Sequence, residues 1–177
     1  MNHLHLPTFS ETGNLHAVIE IPAGTNHKYE YNKQLLQFEQ DRRDGIPRMV
    51  RFLPYPVNYG FVPSTRMDKD RAGDGDPLDV LLLAESMPTG TLIEVLPIGL
   101  LKLKDTGELD HKVLAVPVDP NLRIIDATDW NSFQLHYSAI RHILETFFLY
   151  YDGLGTMTLL GWGDADEAQQ EVAKWRF

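Results

Sequence analysis

The sequence contains no cysteine, which excludes disulfides, thiolate metal sites and a cysteine nucleophile. It also has no apolar run long enough to span a bilayer, and residues 1–23 lack the apolar core of a signal peptide. Basic residues are few, because 16 Lys and Arg stand against 25 Asp and Glu, for a formal charge of −9. This surplus of negative charge disfavours a nonspecific electrostatic grip on nucleic acid or anionic membranes. We therefore expect a cytoplasmic protein that binds neither.

Several active-site signatures are missing as well. There is no P-loop, no GxSxG elbow and no GxGxxG motif, so nucleophilic serine chemistry and dinucleotide binding have no support. The 7 histidines are scattered, and none of them forms an HExxH pattern. With 177 residues, of which 43% are hydrophobic, the chain has the length and the apolar mass of one domain. We predict a single domain over residues 1–177.

Short apolar and β-branched stretches dominate the first two thirds of the chain, and Gly, Pro and Asp separate them, as is typical of strands. The predicted strands are residues 15–21, 28–31, 36–40, 80–84, 91–104 and 112–117.

Helical periodicity follows, with apolar residues at helical spacing from Phe133 to Tyr151, Ser132 as a candidate N-cap and Gly153 as a stop. A last strand is predicted at 156–160. A second helix is predicted at 164–175, because Asp164 and Glu167 resemble a capping box. Strands followed by segregated helices predict an α+β fold, a small barrel or curled sheet with helix packed against it.

The most specific motif is the hexapeptide DGDPLD at residues 74–79, directly before the predicted strand 80–84. Gly75 permits an unusual backbone angle and Pro77 fixes another, so the turn can hold its three carboxylates at a set geometry. Crowded like charges are costly unless cations lie between them, which predicts a site for hard metal ions. An acidic solvated turn explains the hexapeptide equally well, since Asp, Gly and Pro are also the commonest turn residues.

A second acidic turn favours the metal site, because Asp105 and Asp110 bracket TGEL between two predicted strands and Lys112 follows at once. Oxygen ligands from two loops favour Mg²⁺ or Mn²⁺ over zinc. A phosphate-bearing ligand also needs protein cations. Basic residues do lie beside the predicted strands, although a solvated strand edge is the simpler explanation for each alone. They are Lys28, Arg42, Lys102, Lys104 and Lys112.

With these residues in place, the sequence resembles the soluble family I inorganic pyrophosphatases of the bacterial type, from about residue 17 to residue 173. An ordered set of motifs over nearly the whole chain is far more specific than any one of them. The set is EIPA (20–23), KYE (28–30), DR (41–42), YPVNYGF (55–61), DGDPLDV (74–80), Asp105, Asp110 and Lys112, LAVP (114–117), FF (147–148), Tyr151 and GW (161–162).

The resemblance implies an OB-like five-stranded β-barrel with two helices packed on it, in a homo-oligomer that is a hexamer in bacterial members. It implies hydrolysis of pyrophosphate to two phosphates by attack of a metal-activated water, with several Mg²⁺ ions per active site and Mn²⁺ as a substitute. Asp76 is the implied general base. The implied metal ligands are Asp74, Asp79, Asp105, Asp110, Glu20 and Glu30. The implied catalytic and phosphate-binding residues are Lys28, Arg42, Tyr55, Lys112 and Tyr151.

Structural alternatives stay open for some of these residues: Tyr55 and Tyr59 can equally be packing residues, and Glu20 and Glu30 strand-edge charges. An OB-type oligonucleotide-binding protein is the non-enzymatic alternative. It requires aromatic and basic residues exposed together on one sheet face, and the charge of −9 argues against it.

The chain departs from the family pattern in three places. The segments 43–54 and 64–73 are longer than expected, and Gly107 comes one place early in its turn. Asp152 stands where the family has a phosphate-binding lysine. We expect Asp152 either to turn toward solvent or to be compensated by Arg66, Lys69 or Arg71 from the longer loop.

Overall fold

A computed structural model describes residues 2–177 of the chain. Most of the sequence lies in short strands, and the two helices follow late. The strands are β1 (Leu15–Ile21), β2 (Tyr29–Asn32), β3 (Gln37–Gln40), β4 (Arg42–Arg43), β5 (Ile46–Pro47), β6 (Asn58–Phe61), β7 (Asp79–Leu82), β8 (Leu92–Asp105), β9 (Glu108–Leu109), β10 (Lys112–Pro117) and β11 (Met157–Gly163), and the helices are α1 (Trp130–Tyr150) and α2 (Ala165–Trp175).

Five strands close into a ring in the order β1, β6, β7, β10 and β8, because β1 pairs with both β6 and β8. Strands β7 and β10 run parallel, whereas the other pairings of the ring are antiparallel. Strand β8 is 14 residues long and pairs with β1 near its start and with β11 near its end. This ring with two helices confirms the predicted α+β fold and its OB-like five-stranded barrel.

The two helices pack against different parts of the core. Helix α1 buries Phe133, Leu144, Phe147 and Phe148 in one apolar cluster, while α2 packs against a second cluster. The buried α2 positions include Ala168 and Val172, as their spacing predicts. Within residues 2–177, no helix is long and apolar enough to cross a membrane.

Helix α1 begins earlier than predicted, and the assignment of Ser132 as its N-cap was wrong. The N-cap is Asp129, whose carboxylate accepts a hydrogen bond from the Ser132 backbone N–H at 2.9 Å. An aspartate at this position satisfies the third free N–H of the first turn, so Ser132 becomes a helical residue. The helix ends at Tyr150, shortly before Gly153, where φ is +114°.

Strand β6 has no counterpart among the predicted strands. Pro54 and Pro56 precede it, and Asn58 and Gly60 lie within it, so its composition is that of a loop. The glycine is required by close packing, because a Cβ at residue 60 would lie 1.9 Å from the carbonyl oxygen of Val18. Close packing against β1 therefore requires a glycine in this strand, although glycine in a sequence usually indicates a turn.

Candidate active site

An acidic cleft of about 410 Å³ opens at one edge of the barrel. It is lined by all six predicted metal-binding carboxylates and by the predicted general base Asp76. Three of the five predicted phosphate-binding residues, Lys28, Lys112 and Tyr151, line it too. The carboxylates are Glu20, Glu30, Asp74, Asp76, Asp79, Asp105 and Asp110, together with Glu108.

The parallel pairing of β7 and β10 explains why two motifs 33 residues apart meet in this cleft. Asp79 opens β7 and pairs in register with Lys112, which opens β10, so both side chains reach the same edge of the sheet. The two acidic turns are also tied together, since the Leu109 N–H donates to the Ala72 carbonyl at 2.7 Å. In the first turn Gly75 adopts a φ of +90°, and the Asp76 N–H donates to an Asp74 carboxylate oxygen at 2.8 Å.

Lys112 forms the charged floor of the cleft and is only 1% exposed. Its Nζ donates to Asp79 Oδ2 and to Asp110 Oδ1 at 2.7 Å each, and to the Tyr59 hydroxyl at 3.2 Å. Burial alone lowers the pKa of an ammonium, but the carboxylates of Asp110 and Asp79 outweigh it and raise the pKa of Lys112 well above its usual value. Lys112 therefore stays protonated while buried.

The carboxylates around Lys112 carry more negative charge than one lysine neutralises. Burial, reinforced by neighbouring carboxylates, raises the pKa of Asp74 to about 6 and that of Asp79 to about 6. Glu20, which accepts a hydrogen bond from the Tyr31 N–H at 2.7 Å, has its pKa raised to about 8, mainly by burial. Crowded oxygen donors in a concave site have the chemistry that hard divalent cations require.

The donor set therefore fits divalent metal ions, although the carboxylates are not gathered around one point. Within residues 2–177, no three His, Asp or Glu side chains lie close enough together to form a finished metal-binding group. Asp79 and Asp110 instead turn their oxygens to Lys112. A cation bound here would be held by rearranged carboxylates of Asp74, Asp79 and Asp110.

Asp76 differs from its neighbours because its side chain is 63% exposed. It accepts a hydrogen bond from Lys33 Nζ at 2.6 Å, and Lys33 also lines the cleft. Lys33 was not among the predicted site residues. It lies in the turn between β2 and β3, where the sequence shows only a polar loop, so no sequence signal placed it near the hexapeptide.

Two predicted phosphate-binding residues do not line the cleft. Arg42 is exposed, and its Nη1 donates to the Gly45 carbonyl at 2.8 Å within its own hairpin. Tyr55 is 1% exposed, and its ring packs against Tyr59 and Tyr151 at centroid distances of 5.6 and 6.1 Å. Tyr55 therefore supports the cleft wall from behind, and Tyr59 is the tyrosine that faces the carboxylates.

Arg48, which sequence reasoning did not single out, adjoins the cleft without lining it. Its carbonyl accepts from the Lys28 N–H at 3.2 Å, so it lies directly beside a cleft residue. Burial alone lowers the pKa of its guanidinium, but hydrogen bonds to Asp152 and Asp41 raise it above the usual value. That Arg48, and not Arg42, lies beside Lys28 depends on how the β4–β5 hairpin pairs, which composition does not reveal.

Asp152 is bound by arginines, contrary to both expectations for this position. Its carboxylate accepts hydrogen bonds from Arg48 Nη2 at 2.6 Å and from Arg43 Nη2 at 3.1 Å. The longer loop 64–73 does not supply these cations: Arg66 pairs with Asp68, and Arg71 lies over the Trp175 ring. Arg43 and Arg48 both belong to the other long segment, 43–54.

Comparison with known proteins shows to which family this chain belongs. Residues 17–176 match the family described as inorganic pyrophosphatase. The chain belongs to the inorganic pyrophosphatase family. A relative from Neisseria meningitidis serogroup B named inorganic pyrophosphatase is 37% identical, over 97% of this chain and 92% of that protein. One of the same name from Saccharolobus solfataricus is 36% identical, over 90% and 88% of the two chains.

Solved structures of pyrophosphatases share the fold. The inorganic pyrophosphatase of Thermus thermophilus superposes with a TM-score of 0.83 at 30% identity, covering 98% of this chain and 95% of that chain. The enzyme of Neisseria gonorrhoeae gives a TM-score of 0.81 at 32% identity with the same coverage. Membership of this family implies that the protein depends on divalent metal ions.

Proposed function

We propose that this protein hydrolyses inorganic pyrophosphate to two phosphates, with Mg²⁺ as its metal and Mn²⁺ as a substitute. The observation that carries the proposal is the cleft in which Asp74, Asp79 and Asp110 surround the buried Lys112. A cleft rich in carboxylates repels a bare anion, so its substrate must arrive with cations, as pyrophosphate does when complexed with Mg²⁺. A cytoplasmic location and a role in phosphate metabolism accord with this activity.

The divalent ions, when bound, lower the pKa of attacking water and neutralise the oxygens of the phosphates. Their proposed ligands are Asp74, Asp79, Asp105 and Asp110, with Glu20 and Glu30 acting largely through water.

Asp76 is the proposed general base. Its exposed carboxylate can take or orient the proton of the attacking water, and the hydrogen bond from Lys33 Nζ at 2.6 Å helps to hold it in place. Lys28, Lys112 and Tyr151 are proposed to bind the substrate phosphates, since their hydrogen-bond donors line the cleft. Lys112 is fixed by Asp79 and Asp110, so it can neutralise charge on the leaving phosphate with little reorganisation.

A phosphate-release assay tests this function. The purified full-length protein should release phosphate from pyrophosphate with Mg²⁺, release none after chelation, and leave p-nitrophenyl phosphate intact. Activity that persists in chelator, or that is confined to the monoester, contradicts the proposal. Retention on single-stranded oligonucleotide at moderate salt would favour the oligonucleotide-binding alternative instead.

A matched pair of lysine variants assigns the activity to this cleft. Lys28→Met removes a phosphate-binding ammonium that lines the cleft, so kcat/KM should fall by roughly 10- to 100-fold, as for loss of a charged hydrogen bond. Lys104→Met removes a lysine of β8 that does not line the cleft and should leave kcat/KM unchanged. Equal losses in both variants would show that the reaction takes place elsewhere.

A further inference from the structure

Two arginines and two aspartates that the proposed mechanism does not use form a cluster, which we call the corner. The corner does not line the cleft itself but lies directly beside Lys28 and Tyr151, which do. Arg48 lies between two carboxylates, with Nη1 at 3.1 Å from Asp41 Oδ2 and Nη2 at 2.6 Å from Asp152 Oδ2. Arg43 Nη2 approaches the same Asp152 oxygen at 3.1 Å. Three ion pairs thus share one corner, and the Asp152 carboxylate joins both guanidiniums.

Backbone pairing fixes this corner against the cleft wall. The Arg48 N–H donates to the Asp41 carbonyl at 2.7 Å, and the Asp41 N–H donates to the Lys28 carbonyl at 2.8 Å. Asp152 directly follows Tyr151, whose side chain lines the cleft. Arg48 therefore connects Lys28, which directly precedes β2, with Asp152, which follows the end of α1.

The two arginines differ in how strongly they are held. The Arg48 side chain is 17% exposed and clamped from both sides, whereas that of Arg43 is 61% exposed. A guanidinium carries five N–H donors, so Arg43 can bond Asp152 through Nη2 and still present donors to an anion at the rim. Partial burial raises the pKa of Asp152, but hydrogen bonds from Arg48 and Arg43 outweigh it, and the pKa lies below its usual range.

We propose that Asp152 is a positioning residue that holds Arg48 beside Lys28 and draws Arg43 to the same corner, so that the arginine pair binds a phosphate of the substrate. The proposal rests on the proposed function of the cleft. It assigns to the arginines the cationic contact that a lysine at residue 152 would otherwise supply. Asp152 itself then makes no contact with substrate and acts only through its two partners.

Four variants of the full-length protein test the proposal: Asp152→Asn, Asp152→Lys, Arg43→Gln and the double variant Asp152→Asn with Arg43→Gln. Asp152→Asn should raise KM for magnesium pyrophosphate by roughly 3- to 10-fold and leave kcat within about 2-fold, because substrate binding weakens while the reacting groups stay in place. Asp152→Lys should raise KM further, because an ammonium at this position repels both guanidiniums.

Arg43→Gln should also raise KM, and the double variant should raise it by less than the product of the two single effects, because the residues act as one unit. Glu167→Gln is the matched control, since it breaks the Lys102–Glu167 ion pair between β8 and α2, outside the cleft lining, and should leave KM unchanged. Arg43→Gln alters an exposed side chain and therefore remains informative if thermal melts show that Asp152→Asn does not fold.

Binding of inorganic phosphate in the presence of Mg²⁺, measured by calorimetry, gives a readout that needs no turnover. Its dissociation constant should rise across the variants in the same order as KM. A lower KM and tighter phosphate binding in Asp152→Lys would overturn the proposal, since residue 152 would then face the substrate itself. Multiplicative effects in the double variant would overturn it as well. Absence of turnover in the unmodified protein, with the phosphate series intact, would instead reject the proposed function.

Discussion

Asp76 and Asp79 lie three residues apart in one motif, yet their surroundings differ. Asp79 is largely buried and accepts hydrogen bonds from the Tyr59 hydroxyl and from Lys112 Nζ. Asp76 is mostly exposed and is approached by Lys33. A carboxylate fixed among other carboxylates suits a metal ligand, whereas an exposed one that can meet water suits a proton acceptor.

Replacement of each aspartate by asparagine should therefore have different consequences. Asp79→Asn should weaken metal binding, because it removes a charged ligand at the centre of the cleft. Asp76→Asn should keep metal affinity and lower kcat by roughly 10² to 10⁴-fold, the usual effect of losing a general base. Metal titration by calorimetry, combined with kcat at saturating Mg²⁺, separates the two. The assignment is refuted if both variants lose metal affinity to the same extent.

Residue types predicted that each acidic turn groups its own carboxylates, because Asp at set positions around Gly and Pro limits the turn geometry. That the two turns meet, with Glu20 and Glu30, was implied only by the resemblance. The arginines were not predictable in this way. Arg42, Arg43 and Arg48 have the same chemistry in the sequence, and the pairing of a short hairpin decides that Arg48 and Arg43, and not Arg42, bind Asp152 beside the cleft. The ion pairs of Asp152 span 104 and 109 residues, a separation at which no local pattern carries information.

Helix α2 is attached to the strand that carries the charged floor of the cleft through one buried carboxylate. Glu171 Oε1 accepts a hydrogen bond from Trp175 Nε1 at 2.6 Å and lies 3.0 Å from His111 Nδ1. His111 separates Asp110 from Lys112 in the sequence. The side of α2 that packs against the barrel therefore also holds the second acidic turn.

Glu171→Gln should destabilise the protein by about 1–3 kcal/mol near neutral pH, the usual effect of weakening hydrogen bonds to a buried charged group. Burial raises the pKa of Glu171, but hydrogen bonds from His111 and Trp175 outweigh it and lower the pKa to about 2. Because the pKa of Glu171 in the folded protein is below the unfolded value of 4.5, its ionised form stabilises the fold fully above about pH 4.5. This contribution is lost as the pH falls toward about 2.

The difference in unfolding free energy between the unmodified protein and Glu171→Gln should thus shrink on acidification below about pH 5. Urea denaturation at several pH values measures it, with Glu167→Gln as an exposed control on the same helix. A difference that is constant from neutral pH down to about pH 3 would show that Glu171 contributes through packing and not through its charge.

Elements with a single strong pattern were predictable, and those shaped by their neighbours were not. Strand β10 spans the residues predicted for it, because a short apolar run is the usual sequence pattern of a strand that is buried on both faces. Strand β11 runs to Gly163, beyond the predicted end at 160, because a register shift between Leu159 and Gly161 allows its pairing with β8 to continue. Such a shift depends on the partner strand and leaves no mark in the local sequence.

The outer surface of the molecule carries apolar residues around α1 that the core does not cover. Leu135 is 75% exposed, Leu53 61% and Ile143 56%. A second cavity, of about 300 Å³, is lined by residues from α1 and from the segment before β6. Clustered exposed apolar side chains are typical of surfaces that bind other proteins. The lining residues are Phe52, Leu53, Pro54, Pro56, His142, Ile143, Thr146 and Phe147.

We expect the protein to form a homo-oligomer through this apolar surface, as the resemblance to bacterial pyrophosphatases implies. Light scattering at micromolar concentration should give a multiple of the 20.2 kDa chain mass. Ile143→Glu should lower that mass, because it places a charge in the apolar surface, whereas Arg141→Gln on the same helix should not. A monomer mass for the unmodified protein would reject this prediction.

At the scale of the whole molecule, the order of strands was foreseeable only through the resemblance. Nothing in the apolar runs indicates that β7 and β10 pair in parallel, although this pairing brings Asp79 to Lys112. Parallel neighbours require a long connection, and here the connection contains β8 and β9. Assembly of the cleft is therefore a property of the closed ring and not of either acidic motif alone.

The raised pKa values of the cleft carboxylates make protons and metal ions competitors for the same oxygens. With a pKa of about 8, Glu20 is largely protonated at neutral pH while no cation is bound, and Asp74 and Asp79, at about 6 each, take up protons on mild acidification. Uptake of a divalent ion must displace those protons into solution, so metal affinity rises with pH over this range. Mild acidification should therefore weaken the binding of metal ions in this cleft, because protons then occupy the oxygens that would hold them.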